Sequence, residues 1–109
     1  MDPETERAAR AFLQIVAGRY DVAGAVLFGS RSGSDFRSDS DADIAVLLHG
    51  ARKPRVDAAL DMADIAFDVL METGVLVEAL PIWEDEWEHP DRFSNPALIE
   101  NIRHQGIRL

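Results

Sequence analysis

Residues 28–48 read FGSRSGSDFRSDSDADIAVLL, and the organisation of the whole chain can be worked out from them. The apolar run Ala23–Phe28 leads into this stretch and stops at Gly29-Ser30, which is the pattern of a short buried strand closed by turn formers. Residues 29–40 are Gly, Ser, Asp and Arg with a single Phe36, a composition suited to a structured loop that presents backbone amides. At Asp41 a second apolar strand begins, Asp-Ala-Asp-Ile-Ala-Val-Leu-Leu, and its first residues are carboxylates. Residues two apart on a strand point to the same side, so Asp41 and Asp43 stand together. Two such anions repel unless one keeps a proton or a cation lies between them, and oxygen donors without sulfur or imidazole favour Mg²⁺. A Gly-Ser turn or a strand-opening Asp is common on its own. The joint spacing of Gly29-Ser30, ten residues, then Asp41-Ala42-Asp43 is what discriminates.

Working outward, Asp2-Pro3-Glu4 has the form of a helix start, with Asp2 as N-cap and Pro3 at the first helical position. Ala8, Phe12, Leu13 and Val16 give that helix an apolar face as far as about Gly18. Pro54 opens a longer helix closing at Gly74, with Val56, Ala59, Leu60, Ala63, Phe67 and Leu70 expected on its core side. Asp57, Asp61, Asp64 and Asp68 form one stripe of the same helix, expected to be solvated. Val75–Ile82 reads as a third strand, and Trp83 and Trp87 in the acidic stretch that follows are expected to clamp it to the core. Asn95-Pro96 repeats the cap-plus-proline signal before a last helix with Leu98, Ile99 and Ile102 on one face, ending at Gly106. The sum is an α/β fold, a small mixed sheet flanked by helices, in a single domain over residues 1–109.

Composition narrows the chemistry. Of 109 residues 47% are hydrophobic and 28% charged, enough apolar surface for one core and an ordinary soluble exterior. Eleven Lys and Arg against 20 Asp and Glu give a formal charge of -9, which disfavours direct nucleic-acid binding and suits either bound cations or a basic protein partner. The absence of cysteine removes disulfides, thiolate metal sites and thiol nucleophiles. His49, His89 and His104 have no ligand spacing, so zinc is not expected. The acidic N-terminus is unlike a signal peptide and no window has the length of a membrane span, so the expected location is cytoplasmic.

On Gly29-Ser30, the ten-residue interval and Asp41-Ala42-Asp43, the chain resembles the minimal nucleotidyltransferase (MNT) proteins of the DNA polymerase beta superfamily, and the resemblance runs through the closing NPALIENIRHQGIRL. It departs where relatives often have Arg-Gly before the equivalent of Asp35, since this chain has Gly33-Ser34. The resemblance implies a polymerase beta-like nucleotidyltransferase fold and transfer of AMP from ATP to a hydroxyl, with Asp41 and Asp43 holding Mg²⁺. Gly29 and Ser30 would then grip phosphates, with Arg31 and Arg37 as further contacts. The family's third carboxylate on a neighbouring strand, which orients or deprotonates the hydroxyl, has Glu78 as its candidate here. Glu78 shares the parity of Leu76 and Leu80, so turning it to the catalytic side is expected to need a break in an apolar strand face. A chain of this size lacks an enclosing second domain, which favours a protein acceptor. Stand-alone members of the family resemble antitoxins that adenylylate and bind a HEPN-type RNase toxin. An antitoxin that only masks its toxin and an enzyme acting on a small molecule are the alternatives, and the oligomeric state stays open.

Overall fold

The N-terminal cap forms as its residue types dictate. In a computed structural model, which describes residues 1–29, 31 and 40–109, Asp2 accepts hydrogen bonds from the Thr5 amide at 3.1 Å and the Thr5 hydroxyl at 2.6 Å, ahead of Pro3 at the first position of helix α1 (Pro3–Ala17). Strand β1 (Val22–Phe28) and strand β2 (Ala42–Leu48) stand on either side of residues 29–41, and helix α2 (Arg55–Thr73) closes on Gly74, whose φ of +78° is the left-handed C-cap that glycine adopts without strain. Strand β3 (Val77–Trp83) runs straight into the short helix α3 (Glu84–Glu88), and a 3-10 turn at Pro90–Arg92 leads to helix α4 (Pro96–Gln105) and strand β4 (Ile107–Arg108).

The four strands form one mixed sheet in the order β3-β2-β1-β4. β2 is antiparallel to β1 and parallel to β3, while β4 adds antiparallel to the other side of β1 through Val26 with Arg108 and Leu27 with Ile107. This α/β mixed sheet is the expected fold class. β4 itself is not signalled in the sequence, because a two-residue strand carries no periodicity; its place is fixed by the turn at Gly106 after α4.

Strand alternation sends side chains to two layers. Ala42, Ile44, Val46 and Leu48 of β2 join Ala25, Leu27, Val77 and Ala79 beneath α1 and α2, whereas Ala45 and Leu47 join Val26, Leu80 and Ile82 beneath α4, with Ile99 and Ile102 against them. Asp41 and Asp43 share the parity of Ala45 and Leu47, and so belong to the α4 side of the sheet.

The buried face of α2 differs from the expected one. Ala58, Met62, Ile65, Ala66 and Val69 face the sheet, while Val56, Leu60, Phe67 and Met71 are 68%, 63%, 57% and 65% exposed. The helix is apolar on two faces that run two residues out of step, about 200° apart at 100° per residue, so hydrophobic spacing gives the period without choosing the face. Asp57, Asp64 and Asp68 are exposed as expected, but Asp61 accepts from Arg19 at 2.7 Å and from the Tyr20 hydroxyl at 2.8 Å, tying α2 to the end of α1.

The acidic aromatic stretch after β3 is organised by Glu86. Its fully buried carboxylate takes both guanidinium nitrogens of Arg55, and also accepts from the Trp83 amide at 3.2 Å, closing the first turn of α3. Arg55 further donates to the Pro81 carbonyl at 2.7 Å and lies over the rings of Trp83 and Phe93. Trp83 is buried in the core and Trp87 packs at its edge beneath Arg103, so both serve the clamp expected of them. Because the pair is desolvated, removing one member leaves the other's charge uncompensated. Arg55→Met is expected to lower stability by about 3 kcal/mol in urea unfolding. A loss smaller than about 1 kcal/mol would show that the pair does not hold this corner.

Candidate active site

The register of β2 between its neighbours assembles the site. Asp43 pairs across with Phe28 of β1 on one side and with Glu78 of β3 on the other, so the loop entrance at Gly29 and the carboxyl of Glu78 flank the same Asp43. Glu78 needs no break in the strand face. Leu80 and Ile82 on its side pack under α4, Leu76 is exposed, and Glu78 stands between them at the open end of that face. The even-numbered face of β3 thus changes from apolar to acidic along its own length.

Asp41, Asp43 and Glu78 lie close enough for their carboxyls to influence one another, with Glu78 paired to Asp43 across the strand register. Hydrogen bonding with Asp41, followed by burial and by the charges of Asp41 and Asp43, raises the Glu78 pKa above the ordinary carboxylate range. Burial comes first in raising the pKa of half-buried Asp43, the Asp41 charge adds to it, and the bond from Glu78 opposes both. Carboxyls gathered at one strand end concentrate negative charge there, which a cation would offset. Among the described residues no three His, Cys, Asp or Glu side chains form a ready cation cage. Two aspartates completed by oxygens of a phosphate substrate are the usual protein share of a Mg²⁺ site, and Asp41 with Asp43 fit it.

Gly29 is required by both backbone and space. Its φ is +76°, and a Cβ built there would fall 2.3 Å from Oδ2 of Asp43. A side chain here would be strained by the left-handed backbone and would displace the Asp43 carboxylate, so glycine holds the chain against the acidic cluster. Ser30, Arg37, Phe36 and the Gly33-Ser34 departure lie outside the described residues.

Arg31 takes a position that its sequence context does not disclose. It is 4% exposed, and its guanidinium donates to the Ser40 carbonyl and, at 2.8 Å, to the Thr5 hydroxyl. It joins the two ends of the segment between β1 and β2, and fastens both to the Asp2–Thr5 cap of α1. A polar loop residue reads as a phosphate contact from composition alone. Only the buried Thr5, unusual for its type on an amphipathic helix, hints at this inward partner. His49 pairs with Glu84 at 2.8 Å beyond the opposite end of β2, away from the carboxyls.

Residues 12–78, which are 67 of the 109, match the family Polymerase beta, Nucleotidyltransferase. Among solved structures, the toxin-antitoxin complex MntA-HpeT contains a chain similar in fold, with a TM-score of 0.62 and 18% identity, over 93% of this chain and 70% of that one. A protein from Sulfolobus solfataricus designated a nucleotidyltransferase is similar over 99% of this chain and 87% of its own, with a TM-score of 0.55 and 19% identity. At these identities the likeness shows the fold. No curated protein matches.

The carboxyl cluster has a consequence for stability. Asp43 ionises at about 3.9 in the unfolded chain but at higher pH when folded, so the folded state binds its proton more tightly. That contribution is present below pH about 4 and is lost as pH rises through the raised folded value. Asp43→Asn, which removes the charge, is therefore expected to raise the melting temperature at pH 7 to 8 relative to the parent, with the gain vanishing below about pH 4. Thermal melts across pH 3 to 8 check this. A gain independent of pH, or a loss at pH 7, would contradict the electrostatic account.

Proposed function

Because the chain belongs to the polymerase beta nucleotidyltransferase family, we propose that it transfers AMP from ATP to a hydroxyl of a partner protein, and that the partner is a HEPN-type toxin for which it serves as antitoxin. The observation that carries the reading is the convergence of Asp41, Asp43 and Glu78 beside Gly29, at the one end of the sheet where the α4 layer stops. Asp41 and Asp43 would hold Mg²⁺, which when bound lowers the charge of the triphosphate and favours in-line attack at the α-phosphorus. Gly29 and Ser30 would present amide and hydroxyl donors to the distal phosphates, beside the Asp43 carboxylate that Gly29 passes. Arg31 would serve the same phosphates through the loop whose ends it joins.

Glu78 is the group that handles the proton. With the negative charges of Asp41 and Asp43 compensated, the chief causes of its raised pKa are relieved, and its ionised carboxylate can take the proton of the attacking hydroxyl. The hydroxyl oxygen bonds to the α-phosphorus, the bond to the bridging oxygen breaks, and pyrophosphate leaves with its electron pair. Glutamate is one methylene longer than aspartate. Across the parallel register from Asp43 it has that reach to span.

A protein acceptor is supported by two features. The formal charge of -9 suits a basic partner, and the fold is shared with a chain of the MntA-HpeT toxin-antitoxin complex. Incubating the protein with the product of the adjacent gene, Mg²⁺ and ATP is expected to add one or more AMP groups to that product, read by intact mass. Glu78→Gln is expected to slow the addition about a hundredfold or more while the two proteins still copurify. An inhibited but unmodified partner would make the protein a masking antitoxin, and ATP consumption only with an added metabolite would make it a small-molecule enzyme.

A further inference from the structure

Helix α2 carries an apolar stripe that nothing among the described residues covers. Val56, Leu60, Ala63, Phe67 and Met71 follow one another at i, i+4, i+7, i+11 and i+15, all exposed, on the side of the helix opposite the residues buried on the sheet. Large apolar side chains scattered singly over a surface need no explanation, but four of them in one line along about four turns form a contiguous patch of the kind that marks an interface. Along one border the stripe has exposed carboxylates, Asp57, Asp64, Asp68 and Glu72, with no Lys or Arg anywhere in the helix after Arg55.

We infer that this face of α2 is a docking surface for a basic amphipathic helix of a partner protein, laid along Val56–Met71 with its cations against the carboxylate border. The inference rests on the reading above only in taking the occupant to be a protein. A second copy of this chain fits less well. Two α2 helices meeting antiparallel about a two-fold axis would set their carboxylate borders side by side, and each copy brings a charge of -9. A partner helix with an apolar seam and flanking Lys or Arg satisfies both parts of the surface.

The surface is also placed to serve the site without being part of it. α2 covers the sheet face opposite Asp43 and Glu78, so a docked helix leaves the carboxyls open. Its last turns, with Phe67 and Met71, lead through Gly74 to the start of β3, where Ala42 pairs with Val77 and Asp43 with Glu78. A chain following the stripe toward its C-terminal end therefore emerges at the end of the sheet that holds the site. Docking on α2 would deliver a neighbouring part of the same partner to the carboxyl cluster.

The test uses the full chain and two fluorescein-labelled synthetic peptides of about 18 residues, both with leucine on one helical face, one with lysine and one with glutamate on the other. The lysine peptide is expected to bind, and the glutamate peptide and the Leu60→Gln, Phe67→Gln double variant to weaken binding at least about tenfold each. Both substituted positions are exposed, so the double variant is expected to melt with the parent and to bind Mg·ATP as the parent does. No binding of the lysine peptide, equal binding of both peptides, or undiminished binding by the double variant would overturn the inference. So would a dimer of the parent, seen by sedimentation, that the double variant dissociates. Nucleotide binding is read separately, so loss of that function in the parent would strike the catalytic reading and leave the docking surface standing.

Discussion

The structure turns on the placing of β2 between an antiparallel and a parallel neighbour. With Phe28 opposite Asp43 on one side and Glu78 opposite it on the other, the turn at Gly29 and the third carboxyl meet at one residue. A slip of one position in either pairing would send Glu78 or Asp43 to the helix-covered face, where an unpaired carboxylate is strongly disfavoured. The apolar residues that follow prevent the slip. Ile44, Val46 and Leu48 are fixed beneath α1 and α2, and Ala45 and Leu47 beneath α4. Core packing thus aims the carboxyls through the strands that carry them.

Holding three carboxyls together works against stability, and the rest of the fold offsets it locally. Gly29 gives up a side chain so that the backbone can pass Asp43. Arg31 leaves solvent to join the ends of the loop to the cap of α1, so that the segment carrying Gly29 and Asp41 is anchored on both sides by one guanidinium. At the far end of the sheet the Arg55–Glu86 pair holds the corner between β3 and α3, and so fixes the strand that bears Glu78. Like charges held together at one place are commonly offset by bonds elsewhere in the fold.

Much of this was legible in the sequence. Asp2-Pro3 and Asn95-Pro96 mark helix starts because capping and proline act within a few residues, and both helices begin there. Asp41 and Asp43 could be placed on one side from strand parity alone. What escaped depended on partners far along the chain. Arg31 finds Thr5 26 positions away, Glu86 finds Arg55 31 away, and β4 exists only because β1 offers it an edge. The face of α2 was misread since two apolar stripes compete for the same helix, and the sheet selected the one with Ala58 and Ala66, whose small side chains let the helix approach closely. The parity of Glu78 follows from the strand pattern, whereas its surroundings do not, because where the α4 layer ends is a matter of tertiary structure.

The central claim is that Asp41 and Asp43 form a cation-dependent nucleotide site. Titration calorimetry of ATP into the protein with and without Mg²⁺, repeated on the Asp41→Asn, Asp43→Asn double variant, tests it most directly. The account predicts binding only with Mg²⁺ in the parent, weakened at least about a hundredfold in the double variant, because an acidic protein then meets the triphosphate with no charge between them. Equal affinity for Mg·ATP in the parent and the double variant, with both folded, would contradict it.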